Sequence, residues 1–342
     1  VVKPSSARYR LVWLACAGCI FAVFYVSLTN GTFDMSVREV LNTLLRIDPV
    51  PEHDLVIFEF RLPRIIVGAL VGFGLGAAGA VIQGITRNEL ADPGILGINA
   101  GAGAAIVLFM FWFHGHFRGL DLLGIFAMPL FGLVGGLLAA VLIYWFSRVN
   151  GRLDPQRLIL VGIAIGFGFG ALALYVSLKM NPQDFEMATV WLTGSIWSSN
   201  WSYIGSMLPW LLVLIPIVIG RARILDLYQL GEDGAKSLGV RTEMEKHMLL
   251  LCSIGIISVC VSVSGNIGFV GLLSPHIAKR LAGLHHRRVI PLGGAIGMLL
   301  VMASDFIAKT VFAPVELPVG IVIAIVGVPY FVYLLYKTRG VI

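Results

Sequence analysis

The sequence predicts an all-α polytopic membrane protein, and three observations carry that prediction. Of its 342 residues 58% are hydrophobic and only 13% charged, with a mean hydropathy of +0.89, too few charges for the solvated surface of a soluble chain this long. Uncharged apolar runs recur at the length of a spanning helix, roughly 20 residues. Glycine is abundant, at 40 residues, and often falls four apart within these runs, which lets membrane helices approach closely.

The runs at 11–28, 65–85, 94–113, 122–146, 158–178, 203–219, 248–273 and 317–336 read as spans, with shorter apolar pieces at 274–283 and 289–308. The first follows Lys3, Arg8 and Arg10 and leads into no small-residue cleavage site. It reads as an uncleaved helix with its amino end in the cytoplasm. Residues 30–60 form a net acidic outer segment, with Asp34, Glu39, Asp48, Glu52, Asp54 and Glu59 against Arg38 and Arg46. Within it Val37, Val40, Leu41, Leu44 and Leu45 suit an amphipathic surface helix. Gly68, Gly72, Gly76 and Gly79 mark a packing face on the second span, and Gly162, Gly166 and Gly170 one on the fifth.

The number of spans turns on 248–283, which is too long for one helix and is interrupted by Gly265-Asn266-Ile267-Gly268. If a short helix at about 274–283 returns from that break, the chain has ten spans and two cytoplasmic termini, and most of its 25 lysines and arginines lie inside. A single crossing gives nine spans and a near-even split, with His285-His286-Arg287-Arg288 outside. The positive-inside rule selects ten. Unwound backbone at membrane depth is buried in protein or lines a wet cavity, which makes Asn266 a candidate for a transport path.

Reactive groups are scarce. Asp305, near the outer end of the ninth span, stands one turn before Lys309 and is expected to pair with it. Glu316 lies in the next outer loop, and His276, at the start of the return helix, reads as a satisfied polar group. Cys16 and Cys19 have no second ligand pair, and His114 and His116 no third ligand. Ser274 and His276, two apart on a helix, diverge and lack a nucleophile elbow. No catalytic residue or metal centre is expected. A proton- or sodium-coupled secondary carrier is the alternative class, disfavoured by the lack of intramembrane carboxylates.

The polar stretch 225–246 stands out against this background. The chain has no nucleotide-binding loop, since Gly234-Ala235-Lys236-Ser237 lacks the glycine before lysine that brings phosphate to backbone amides. Energy must therefore arrive through a docked polypeptide. Leu230 and Leu238 offer apolar anchors around Ala235 and Ser237, Glu232, Asp233 and Lys236 a polar rim, and Gly231, Gly234 and Gly239 sharp turns.

The runs RLPRIIVGALVGFGLGAAGAVIQG (61–84), NELADPGILGINAGAGAA (88–105), LGEDGAKSLGV (230–240), SGNIGFVGLLSPHIAKR (264–280) and ELPVGIVIAIVGVPYFVYLL (316–335), in this order, resemble the FecCD-type permeases of ABC importers for ferric siderophores, haem and cobalamin. The resemblance covers nearly the whole chain from about residue 55. It implies a type II ABC importer permease fold: one transmembrane domain over 1–342, ten helices, working as a dimer with an identical or homologous permease in the bacterial cytoplasmic membrane. It implies that a coupling loop at about 221–246, with residues 230–239 at its centre, seats in a cytoplasmic ABC ATPase dimer. That partner uses the ATP, and no cofactor is implied on this chain. It further implies that a substrate-binding protein, extracellular or periplasmic, meets Arg61, Arg64 and Lys309 through acidic side chains. Lys309 replaces the arginine of some relatives, a point charge in place of a bidentate fork. Small or mildly polar residues, Asn99, Gly101, Ser195 and Asn266, are candidates for the path. Ferric siderophore is the implied cargo, with haem and cobalamin as alternatives; besides these proteins only membrane lipid is an expected partner, and nucleic acid is not.

Overall fold

Nearly every apolar run folds as a helix. The computed structural model describes residues 6–31, 33, 35–47, 50–92, 94, 97–113, 122–149, 152–313 and 315–339. Helix α1 spans Ser6–Thr29. The outer segment then contributes α2 (Val37–Leu44), opened by a reciprocal capping box between Ser36 and Glu39. Its Val40 packs with Leu28, Met35, Ile57, Ile65 and Met302, while Val37, Leu41 and Leu45 stay exposed. The amphipathic expectation therefore holds for α2; Asp34 and Asp48 lie outside the described residues. Helix α3 (Pro51–Asp54) and a π-helical stretch (Leu55–Arg61) run without a break into α4 (Leu62–Thr86).

Helix α5 (Ile98–Phe113) follows an irregular approach, then α6 (Leu122–Phe146) and a two-residue hairpin, β1 (Arg148–Val149) antiparallel to β2 (Arg152–Leu153). Side-chain caps open the next three helices: Asp154 for α7 (Pro155–Ser177), Asn181 for α8 (Pro182–Leu192) and Asn200 for α9 (Trp201–Gly220). Two short helices, α10 (Ala222–Tyr228) and α11 (Glu232–Ser237), lead into α12 (Thr242–Ser264). The chain closes with α13 (Val270–Ala282), α14 (His286–Thr310) and α15 (Val319–Arg339).

Among the described residues eight helices are long and apolar enough to cross a membrane. The two remaining expected spans fold as α5, of 16 residues, and α13, of 13. At 1.5 Å per residue these reach about 24 and 20 Å, short of the roughly 30 Å hydrocarbon core. The return helix also begins at Val270 rather than near 274, so His276 sits inside it instead of at its start.

Helices α4 and α12 form the centre, with 78% and 83% of their apolar windows buried, against 17% for both α1 and α7. The glycine face of α4 explains its position. A methyl group at Gly72, Gly76 or Gly79 would collide with the main-chain carbonyl of Gly297, Gly293 or Gly271 respectively. Helices α14 and α13 thus lie on α4 at backbone contact, the geometry small residues permit where lipid supplies no hydrophobic drive. On α7 the expected packing holds only in part: Gly162 and Gly166 meet Gly97, but Gly170 has no neighbour within 4 Å.

Gly79→Ala is expected to destabilise the detergent-solubilised protein by about 1–3 kcal/mol through overpacking. Gly168→Ala, with nothing within 4 Å of the added carbon, should be neutral or slightly stabilising. Thermal unfolding of both variants checks this, and equal melting points would remove the backbone-contact account of α4.

Candidate functional site

The polar segment forms a hook between α9 and α12. Gly231 (φ 89°) and Gly239 (φ 81°) turn the chain on either side of α11 in the left-handed region. Leu230 and Leu238 are 65% and 60% exposed, whereas Ala235 between them is fully buried and holds α11 against the bundle. Beneath the hook, α10 is tied to the start of α12. The Tyr228 hydroxyl donates to the Thr242 carbonyl at 2.6 Å, and Arg221 pairs with Glu245. The described residues therefore bring the expected coupling residues together as one protruding element with two apolar tips.

Under the same hook lies a contact that sequence reasoning missed. Asp226 of α10 accepts from the His286 main-chain N–H at 2.8 Å and faces His286 Nδ1 at 2.7 Å, with His285 Nδ1 at 3.4 Å. The residue preceding α14, His285, makes no side-chain cap of its own, so the acceptor for the first turn comes from α10. Burial pushes the Asp226 carboxyl up, but hydrogen bonds from the His286 ring and main chain and the imidazole's charge outweigh it and hold the carboxyl below its usual range. The one signal in the sequence was a helix start without Ser, Thr, Asp or Asn. Read as a surface run of basic charge, His285-His286-Arg287-Arg288 concealed that His286 is only 1% exposed.

The break between α12 and α13 is real, and several of the backbone groups in and beside it have partners. Gly265 ends α12 at φ 67°, and Phe269 precedes α13 in the left-handed region at φ 65°. Ser195 N–H donates to Ser264 O at 2.9 Å, Gly320 N–H to Gly194 O at 2.9 Å, and Phe269 N–H to the Asp92 carboxylate at 3.3 Å. Asn99 donates to the Asn266 side chain at 2.8 Å. Of the four path candidates, Asn99 and Asn266 are therefore bonded to each other at the break, and Ser195 adjoins them. Gly101 does not join them: it is buried against Gly135 and Ala139 in the α5–α6 contact. Beside the break lies a cavity of about 650 Å³ whose wall includes Met187, Trp191, Ser195, Trp197, Tyr203 and Glu316.

At the opposite end from the hook, the three basic docking candidates are engaged inward. Arg61, 8% exposed, donates to the main-chain carbonyls of Leu28 and Phe33. Arg64 grips Asp305 through Nε at 2.9 Å and Nη2 at 2.8 Å, and reaches Glu316 through Nη1 at 2.8 Å. Lys309 donates to Ser27 O at 3.2 Å. The expectation that Asp305 pairs with Lys309 is corrected: its close partner is Arg64, which approaches from α4 with a planar fork that fits a carboxylate.

Other candidates resolve simply. His276 is not satisfied as expected, since both ring nitrogens are buried without a hydrogen bond, with Glu89 3.8 Å away and Tyr330 against the ring edge. The Ser274 hydroxyl donates to Val270 O. Cys16 is buried and Cys19 exposed, and among the described residues no group of three His, Cys, Asp or Glu could hold a metal. His114 and His116 lie outside the described residues.

Residues 19–337 match the model of the FecCD transport family. The chain is 56% identical over 320 residues to the iron-uptake system permease protein FeuC of Bacillus subtilis, covering 94% of this chain and 95% of that protein. It is 45% identical over 338 residues to the iron(3+)-hydroxamate import system permease protein FhuG of the same organism, covering 99% and 100%. Among solved structures, a transporter described as of the metal-chelate ABC type, in an inward-facing conformation, superposes with a TM-score of 0.81 at 28% identity, over 96% of this chain and 99% of that one. A match of this length, with the hook, the broken helix and the cavity in place, has one reading: the chain belongs to the FecCD transport family.

Proposed function

We propose that this chain is a permease subunit of an ATP-driven importer of iron chelates, ferric siderophores foremost. The observation that carries the reading is the hook: two exposed leucines at glycine-set turns, on a membrane protein with no nucleotide loop of its own. The relatives named for iron uptake and iron(3+)-hydroxamate import support the cargo class. In this reading the α10–α11 end faces the cytoplasm of a bacterial cell, the chain crosses the membrane ten times with both termini inside, and α5 and α13 complete their crossings through the irregular segments beside them. Two permeases, identical or related, enclose the path, and a cytoplasmic ATPase dimer drives it. The cavity at Trp191, Ser195 and Glu316, near the bonded pair Asn99 and Asn266, forms part of the route. A proton-coupled carrier is disfavoured by the family match and by the iron-uptake permeases among the relatives.

A binding protein would dock on the end bearing Arg61, Arg64 and Lys309. Glu316 is 27% exposed and Asp305 5%, so an incoming carboxylate reaches Arg64 by competing with Glu316 and leaving Asp305 in place. Arg61 serves the fold first, since both of its named acceptors are main-chain carbonyls.

Affinity purification of the tagged chain from iron-limited membranes should recover an ATPase, a binding protein and a second permease or a second copy. Recovery of this chain alone, with iron uptake that survives ATP depletion, would overturn the importer. Gly239→Pro and Leu238→Asp should each abolish ATPase retention and uptake without reducing membrane insertion; undiminished co-purification in both would remove the hook from the coupling role. Arg64→Gln should destabilise the permease alone by on the order of 3–5 kcal/mol, read as a lower melting point, because the buried Asp305 carboxylate is left unpaired. A variant as stable as the parent that no longer binds the partner would assign Arg64 to docking only.

A further inference from the structure

We propose that Asp226 and His286 form, with Gly84, the pivot through which movement of the hook enters the helix bundle. This rests on the importer reading and assigns both as positioning residues. Three elements converge on one imidazole. His286 Nδ1 and main-chain N both meet the same Asp226 oxygen, at 2.7 and 2.8 Å. The other ring nitrogen, Nε2, faces α4 where Gly84 leaves room: a methyl carbon there would sit 2.8 Å from Nε2 and 3.1 Å from Leu225 Cδ2. Leu225, beside Asp226, is fully buried. Consecutive residues of α10 thus touch α4 and α14 at one point.

The direction of this hydrogen bond is set by geometry. A carboxylate only accepts, so the imidazole donates from Nδ1. His286 Nε2, by contrast, is buried without a hydrogen-bond partner. Asp226 also brings negative charge to the N-terminus of α14, where the helix dipole favours it. The joint is therefore a charged cap supplied by one helix to another.

The second reason is where α14 leads. From this cap it runs to Asp305, the anchor of Arg64, about 28 Å away at 1.5 Å per residue. Arg64 in turn holds Glu316, which lines the cavity. A displacement of His286 along the helix axis is delivered to the cavity wall through Asp305 and Arg64. Of the hook's other attachments, Tyr228 to Thr242 and Arg221 to Glu245 lead to the start of α12, to which the hook is already joined covalently, while Gln229 donates to the Leu284 carbonyl at 3.4 Å, just before α14, and so adds to the same joint.

The test uses the complete complex with its ATPase in lipid nanodiscs, with ATP and orthovanadate as probes. The reporter is Ser198→Cys, on the cavity wall, in a Cys19→Ser background, read as the rate of labelling by a polar maleimide. Trapping with ATP and vanadate should change the parent rate by roughly fivefold or more, within the range of ordinary site-to-site coupling. Asp226→Ala should abolish that response while the ATPase stays bound and hydrolyses ATP, and Asp226→Asn, which keeps an acceptor oxygen, should recover part of it. A purely structural role would lower melting point and hydrolysis together with the response, and would overturn the pivot. An undiminished response in Asp226→Ala, or loss of the ATPase, also overturns it. A parent without a response overturns instead the route through this cavity, a failure of the importer reading that is thereby distinguished. Should Asp226→Ala not accumulate, His286→Asn, which keeps a donor near Nδ1, should respond and His286→Leu should not; equal responses overturn the pivot.

Discussion

The close approach of α4 and α14 is the constraint on which the rest depends. Gly72 and Gly297, and Gly76 and Gly293, put the two main chains in contact, and in a lipid solvent that contact has to be won by packing rather than by hydrophobic exclusion. Once it exists, every other feature has an address. Arg64, two turns before Gly72 on α4, lies opposite Asp305, two turns after Gly297 on α14. Gly84, two turns past Gly76, lies opposite His286, two turns before Gly293. The glycine contact in the middle therefore aligns a salt bridge at one end and a capped imidazole at the other. Move the helices apart by a side chain and both ends lose their partners together.

The broken helix poses the complementary problem, since unwound backbone inside a bundle has no water to satisfy it. The chain answers it with main chain from elsewhere. Ser264 O receives Ser195 N–H, and Gly194 O receives Gly320 N–H, so 193–195 is stitched to the break on one side and to α15 on the other. Gly265 is needed here for a steric reason as well as its φ of 67°, because a side chain would strike the Trp191 carbonyl. The result is a polar spot, Asn99 with Asn266, beside a cavity with aromatic and thioether walls. Such walls offer broad, weak contact, which suits a path that a bulky chelate must leave as readily as it enters.

What the sequence made legible follows from what leaves a periodic or compositional mark. Eight of the spans, the glycine face of α4, the break at Gly265-Asn266-Ile267-Gly268 and the turns at Gly231 and Gly239 all do, and they stand close to where expected, whereas α5 and α13 are shorter than a span and α13 begins earlier than expected. Pairings between distant segments leave no such mark. Arg64 is 241 residues from Asp305 and Asp226 is 60 from His286, and local spacing offered the nearer but wrong partner, Lys309, for the first and none for the second. Burial of charged residues was the other blind spot. Arg61 and His286 look like exposed cations in a one-dimensional reading, yet each has its hydrogen-bond acceptor on another segment, main-chain oxygens for Arg61 and Asp226 for His286. Gly101 illustrates the converse, a residue whose small size serves packing against Gly135 rather than width for a cargo.

The placement of charge at the end away from the hook follows the same logic. A buried acid, Asp305, and its base, Arg64, offset one another through a two-pronged grip, and removing either would leave the other stranded in a low-dielectric setting. The grip on Asp305 holds α4 to α14. Arg64 is nonetheless poised to exchange partners. Glu316 holds only one prong, is the more exposed carboxylate and belongs to the cavity wall. In the docking proposed above, a third carboxylate arriving from outside would take that prong without disturbing Asp305, which keeps the helices aligned. Charge in this bundle thus acts as a fixed anchor with one exchangeable contact, a design suited to being pushed from its two ends.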